Sequence, residues 1–283
     1  MKVRKLSGIK PKVLIFQGSP RDKDTCPNMD SKTHSVVEYV IDKWSPFIDF
    51  IVIDLSVNQN KKPVIQPCKG CISTAGGYHC HYNCSCYFKG NKKQPDLLKE
   101  LDVYDHLQEC DAFIVFSPIH WYSLSSQVKA LFDRLVCINQ TLTVDDAKKI
   151  MGADNIKNSD VTGAFAKSGK YDHMLRNHLE GKYASFYVHG DDGADDYEGK
   201  EMPESYNDVI HDPFSIDPKS VVIPYVMQMK YSGVFVPDDL IQAFYVNKGI
   251  DYYTANKTFD KNKEFFDRAD NLIDNLLNYI EKE

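Results

Sequence analysis

The chain has 283 residues, 42% of them hydrophobic, and its 40 acidic against 34 basic side chains leave a net charge of −6. That length suits one large α/β unit or two small ones, and the mild acidity speaks against a phosphate-backbone partner, so nucleic acid is set aside. The first apolar run, Val13–Phe16, is too short for an export signal or a membrane span. Eight cysteines without such a signal point to free or metal-bound thiols in a reducing compartment, the cytoplasm.

Taken in order, Val13–Phe16 reads as a fully buried strand running into Gly18-Ser19-Pro20-Arg21. Ser31–Trp44 follows as a helix with Val36, Val37, Val40 and Ile41 on one face. Phe50–Leu55 is a second strand, and a polar, cysteine-rich insertion from Asn58 to Lys93 interrupts the pattern. After Pro95, the spacing of Leu97, Leu98, Leu101, Tyr104 and Leu107 predicts one helix, and Ala112–Phe116 a third strand. Ser125–Leu135 is again helical, Tyr171–Leu179 a short helix, and Tyr183–Val188 a fourth strand.

Residues 191–230 read as an insertion or lid, Ser232–Val236 as a fifth strand, and Phe265, Ala269, Leu272, Ile273, Leu276 and Ile280 trace a terminal amphipathic helix. Continuously apolar strands alternating with such helices predict an α/β doubly wound, five-stranded parallel sheet covered on both faces. With no internal repeat and no linker, residues 1–283 read as a single domain.

In an open parallel sheet ligands bind beyond the carboxyl ends of the strands, which directs attention to three loops. The first, GSPRDKDT continuing to SKT, sets hydroxyls and an arginine at a helix start, where backbone N–H groups and the helix dipole favour a terminal phosphate. It lacks both the Gly-Lys-Ser/Thr ending of a triphosphate loop and the three-glycine dinucleotide fingerprint, so a monophosphate fits better; the alternative is a simple turn. The second, Ser117–Arg134, is an aromatic-rich loop leading straight into a helix, suited to a planar heterocycle's edge unless Trp121 and Tyr122 only cap the core. The third, His189–Asp196, offers Gly190 and Gly193 for close approach to a flat ligand, or else an acidic turn or hard-cation site.

At these loops the chain resembles the NAD(P)H-dependent FMN reductase group of the flavodoxin-like superfamily. The phosphate motif stands here as Gly18-Ser19-Pro20-Arg21 followed by Thr25 or Ser31-Lys32-Thr33. The second motif stands as Pro118-Ile119-His120-Trp121-Tyr122-Ser123, then Lys129 and Phe132-Asp133-Arg134. The resemblance implies a flavodoxin-like fold and an FMN phosphate held by Ser19, Arg21, Thr25 or Ser31, and Thr33. It implies an isoalloxazine edge resting on Pro118, Ile119, His120, Trp121, Tyr122 and Ser123 and on His189, Gly190 and Gly193. The chain departs from the pattern by inserting Cys26-Pro27-Asn28-Met29-Asp30 before the helix.

The same resemblance implies an enzyme that passes electrons from NAD(P)H to a quinone, flavin, nitro compound or similar acceptor, with the flavin rather than side chains carrying the chemistry. It also implies a homodimer or homotetramer. The other classes are a flavodoxin-type electron carrier and a flavin or metal redox sensor. Cys68, Cys71, Cys80, Cys84 and Cys86, interleaved with His79 and His81, are numerous enough for zinc or an iron–sulfur centre. The alternative is reduced thiols packed as small hydrophobes, as expected for Cys110 and Cys137.

Overall fold

The computed structural model describes residues 10–24, 30–56, 63–70, 84, 86–138, 178–191, 217–246 and 262–282. Strand β1 (Lys12–Gln17) leads to helix α1 (Lys32–Trp44) and strand β2 (Asp49–Asp54). Helices α2 (Leu97–Glu100) and α3 (Val103–Glu109) precede β3 (Ala112–His120), a short β4 (Ser123–Leu124) and α4 (Ser126–Leu135). The chain then contributes β5 (Tyr183–Asp191), α5 (Ile223–Tyr231), β6 (Ile241–Val246) and α6 (Lys263–Ile280).

Five parallel strands pair in the order β2-β1-β3-β5-β6, and β4 folds back antiparallel on β3. The predicted doubly wound α/β sheet is therefore the observed one. Alternation along the strands sends Leu14, Phe16, Phe113, Val115 and Phe186 to one face, against α3, α4 and α5. It sends Val13, Ile15, Ile114 and Tyr187 to the other, against α1 and α6. On that second face Asp270 of α6 accepts from Tyr39 Oη (2.9 Å), Lys43 Nζ (2.5 Å) and Trp44 Nε1 (3.0 Å), which fixes the terminal helix to α1.

Two sequence expectations are corrected. The single helix after Pro95 is two, because Asp102 sits at φ 49° between them and leaves Leu101 41% exposed. Lys89 bonds the Asp102 carboxylate (2.6 Å) and the Gly90 N–H bonds Glu100 (2.8 Å), so the corner is held by polar contacts that helical spacing does not register. The fifth strand is Ile241–Val246 rather than Ser232–Val236. Gly233, at φ 71°, turns the chain out of α5 and Pro237 has no N–H to donate, so that stretch keeps only a bridge from Phe235 to Tyr183. Within the predicted insertion, α5 packs into the core through Tyr225 and Met229, while 192–216 lie outside the described residues.

The cysteine-rich stretch is docked where it is described. Arg134, from the Phe-Asp-Arg motif, is 1% exposed and forms a bidentate pair with the fully buried Asp96 at 3.0 and 2.8 Å. It also donates to the Gln66 carbonyl (2.8 Å) and stacks 4.8 Å from the centre of the Tyr87 ring. Tyr87 Oη in turn donates to the Pro67 carbonyl (3.0 Å), so one guanidinium ties α4, α2 and the inserted segment together.

Removing one partner of such a pair strands a buried charge. Asp96→Ala is expected to cost about 3–5 kcal/mol in urea unfolding, whereas the paired change Asp96→Leu with Arg134→Met recovers most of that loss. A double variant no more stable than Asp96→Ala would contradict this account.

Candidate active site

The strand order reverses between β1 and β3, and the crevice at that switch point is where a sheet of this order takes its ligand. Gly18 closes the base of the crevice. Its N–H bonds the Phe116 carbonyl (2.7 Å), its carbonyl accepts from Ser125 Oγ (2.5 Å), and a Cβ there would lie 2.5 Å from Val128 Cγ2. Ser125 also caps α4 by accepting from the Val128 N–H at 3.3 Å.

Above this junction lies a cavity of about 290 Å³ lined by Ser19, Arg21, Ser31, Lys32, Thr33, Pro118, Ile119, His120, His189 and Gly190. Three elements supply it. The loop after β1 is shaped by the Ser19 N–H bonding Gln17 Oε1 (2.6 Å) and by Arg21, whose Nη2 reaches the Asp30 carbonyl (3.3 Å) across the inserted residues. Ser31 caps α1 by accepting from the His34 N–H (3.1 Å), which turns the first helical turn toward the cavity. The ends of β3 and β5 come level, with Pro118 opposite His189.

None of the lining residues carries a carboxylate, while two carry fixed positive charge and two are imidazoles. In a chain of net charge −6 this is a local reversal of sign, and together with the helix N-terminus it suits a phosphate. Thr33 is fully buried and its Oγ1 lies 2.9 Å from His189 Nε2, so this hydroxyl joins the start of α1 to the end of β5. Gly190 earns its place by packing: a Cβ there would sit 2.8 Å from the Tyr245 ring and 3.3 Å from Ile119. His120 keeps solvent access, yet desolvation and then the Arg21 charge lower its imidazole below the ordinary 6.5.

The residues expected at the ring edge divide. Pro118, Ile119, His120, His189 and Gly190 line the cavity; Trp121, Tyr122 and Ser123 do not. His120 pairs with Ser123 across a two-residue hairpin whose tip is Trp121 and Tyr122, at φ 47° and 61°. Trp121 is 94% exposed and Tyr122 45%, so neither caps the core, and Ser123 Oγ bonds Tyr225 Oη (3.0 Å) on α5. Of the phosphate candidates, Ser19, Arg21, Ser31 and Thr33 come together, Thr25 lies outside the described residues, and Lys32 joins unexpectedly. The signal for Lys32 was its place directly after the cap in Ser31-Lys32-Thr33. Gly193 also lies outside the described residues.

Among the candidate metal ligands, Cys71, Cys80, His79 and His81 lie outside the described residues. Cys84 is buried, and Cys68 and Cys86 are half-buried. Among the described residues no group of three or more His, Cys, Asp or Glu side chains is placed to hold a metal ion. Burial pushes the thiols of Cys110 and Cys137 up to about 11 and about 12, as befits small hydrophobes.

A parallel sheet of this order with a phosphate-suited crevice at its switch point defines an α/β protein of the flavodoxin-like kind. Residues 11–180 match the NADPH-dependent FMN reductase family, and the chain belongs to that family. It is thus an NAD(P)H-dependent FMN oxidoreductase and binds FMN. Among solved structures it is similar to RosB with a bound 8-demethyl-8-formylriboflavin-5'-phosphate intermediate. The two are 14% identical over 96% of this chain and 79% of that one, with a TM-score of 0.50. It is also similar to general stress protein 14 from Treponema denticola in complex with FMN (10% identity, 97% and 99% coverage, TM-score 0.43). A third is an azoreductase from Bacillus anthracis (12%, 96% and 100%, 0.41). At these identities the RosB likeness is one of fold. No curated protein matches the chain.

Two outcomes follow from the geometry. A two-residue hairpin with both tip residues at positive φ favours Asn-Gly, so Trp121→Asn with Tyr122→Gly is expected to raise unfolding stability by about 1–3 kcal/mol in thermal melts. A melt unchanged or lowered would contradict the strain. For His120, the folded form binds fewer protons than the unfolded chain below pH 6.5, so this group's contribution to stability is present above that pH and is lost as pH falls through the lowered folded value. NMR titration should place its midpoint below 6.5 and show it rising, without fully recovering, in Arg21→Gln.

Proposed function

We propose that the cavity holds FMN with its phosphate end among Ser19, Arg21, Ser31 and Thr33 and its ring edge along Pro118, Ile119, His120, His189 and Gly190. In this reading electrons pass from NAD(P)H to a small-molecule acceptor such as a quinone, a free flavin or a nitro compound. The observation that carries it is the carboxylate-free lining at the switch point, where Arg21 and a helix N-terminus meet the ends of β3 and β5. We further propose that the whole chain acts as one flavodoxin-like domain, as a homodimer or homotetramer in the cytoplasm. No helix among the described residues is long and apolar enough to cross a membrane.

Bound FMN supplies the two-electron chemistry, so no side chain is needed as an obligatory acid or base. The protein's part is position and charge. Arg21 neutralises the phosphate end, and the strand ends, kept free of bulk by Gly190, give a flat group a shelf. His120, whose imidazole is lowered below its ordinary value by desolvation and then by the Arg21 charge, offers a hydrogen bond at the ring edge. The exposed hairpin of Trp121, Tyr122 and Ser123 stands at the mouth, where nicotinamide and acceptor would enter. A zinc or iron–sulfur centre in the Cys68–Cys86 stretch is a separate proposal supported by the thiol count, and metal analysis of protein purified without oxygen decides it.

Apoprotein titrated with FMN should quench flavin fluorescence and turn yellow. The loaded protein should oxidise NADPH or NADH when a benzoquinone is supplied. Absence of FMN binding would overturn the cavity assignment, and binding without turnover on any quinone, flavin or nitro acceptor would overturn the acceptor class.

A further inference from the structure

The hairpin beside the cavity is strained at its tip and held at its flank. Trp121 and Tyr122 both sit at positive φ, 47° and 61°, an uphill conformation for bulky aromatic residues. Neither recovers that cost by burial, since both are exposed. The base of the hairpin is fixed from beneath: the Ser125 N–H donates to Ser117 Oγ (3.2 Å), and Leu124 is buried in the core. Its upper rung is the pair His120–Ser123, and Ser123 Oγ shares a hydrogen bond with Tyr225 Oη (3.0 Å).

Tyr225 is built as a fixed post. It is buried, and its ring stands edge-on to Phe132 with centroids 4.9 Å apart. Gln228, further along α5, donates to the Phe132 carbonyl (2.6 Å), which seats α5 on α4, the helix that leaves the same hairpin. A ring packed in this way keeps its hydroxyl in one place, and the Ser123 rung is bonded at that place. Across the rung, the strand limb carries Ile119 and His120, which line the cavity, whereas Ser123 and Tyr225 do not. Any effect of Tyr225 on a ligand therefore passes through the hairpin.

We propose that Tyr225 is a positioning residue whose hydroxyl, through Ser123, holds the strained hairpin in the conformation that sets Ile119 and His120 at the ring end of the cavity. This rests on the FMN reading above and adds to it a residue outside the family match of 11–180, from a stretch that reads as an insertion in the sequence. Without the bond, release of the strain at the tip favours other hairpin conformations. Apparent flavin affinity then falls in proportion to the molecules that remain competent.

The test titrates apoprotein with FMN and with riboflavin, following flavin fluorescence, in wild type, Tyr225→Phe, Ser123→Ala and the double variant. Tyr225→Phe is repeated in a relaxed-tip background, Trp121→Asn with Tyr122→Gly, and the His120 imidazole is followed by NMR in each apoprotein. Tyr225→Phe keeps the ring on Phe132 and removes only the hydroxyl. It should raise the Kd of both flavins by the same factor, about three- to tenfold, the scale of one neutral hydrogen bond. Ser123→Ala should match it, and the double variant should be no worse than either single. The His120 resonances should move in Tyr225→Phe before any flavin is added. With the tip relaxed, Tyr225→Phe should change either Kd by less than about twofold, because the strain that the bond opposes is gone. A purely structural tyrosine gives a lower melting temperature with both Kd values and the His120 resonances unchanged, and that result would overturn the assignment. A loss of equal size in the relaxed-tip background also overturns it. Wild type that binds neither flavin overturns the FMN reading instead, and the His120 resonances of the apoproteins still decide whether Tyr225 positions the hairpin.

Discussion

Gly18 has no room for a side chain, and the functional crevice is organised around that fact. At the end of β1 its N–H is bonded to the end of β3 and its carbonyl to the cap of α4, with Val128 and Phe116 closing on the position a Cβ would take. One residue thus locks together the loop after β1, the third strand and the helix after the hairpin. Any side chain there would push β1 from α4 and widen the gap between the two loops that form the cavity. Ser125 carries the same junction from the other side, since one hydroxyl both donates to Gly18 and caps its own helix.

The charged groups divide the labour by depth. Arg134 and Asp96 are fully enclosed and paired with each other and with Gln66, so they act as a structural rivet for the inserted segment and line no part of the cavity. Arg21 and Lys32 face the cavity, where the positive helix end adds to their field. Two arginines from two family motifs therefore serve unrelated ends, one holding the scaffold and the other lining the cavity. The Lys129–Asp133 pair, more than 45% exposed on both sides, sits on the α4 surface and adds little to either.

The strands and the main helices were readable because burial on both faces produces unbroken apolar runs, as in Val13–Phe16 and Ala112–Phe116, and single-faced burial produces the spacing of α6. The hairpin was not, because its two tip residues are bulky aromatics where turn chemistry asks for glycine or asparagine. An aromatic pair at such a tip reads as ring-stacking surface, which is why Trp121 and Tyr122 were expected against the ligand, whereas they are exposed and outside the cavity lining. The split of α2 from α3 was hidden for a similar reason, since a left-handed aspartate is held by partners on another segment.

By itself the sequence determined strands β1, β2, β3 and β5, helices α1, α4 and α6, the three loops that matter and the hydroxyl and arginine content suited to a phosphate, because each is written in local pattern and residue type. Only the tertiary structure decided which of those residues share a cavity. Thr33 meets His189 through a contact between elements far apart in the chain, and Lys32 and Arg21 line one cavity across an insertion that hides their spacing. It also decided that Arg134 belongs to the scaffold, since a buried ion pair depends on which two charges the packed core brings together, and periodicity along one helix carries no record of that.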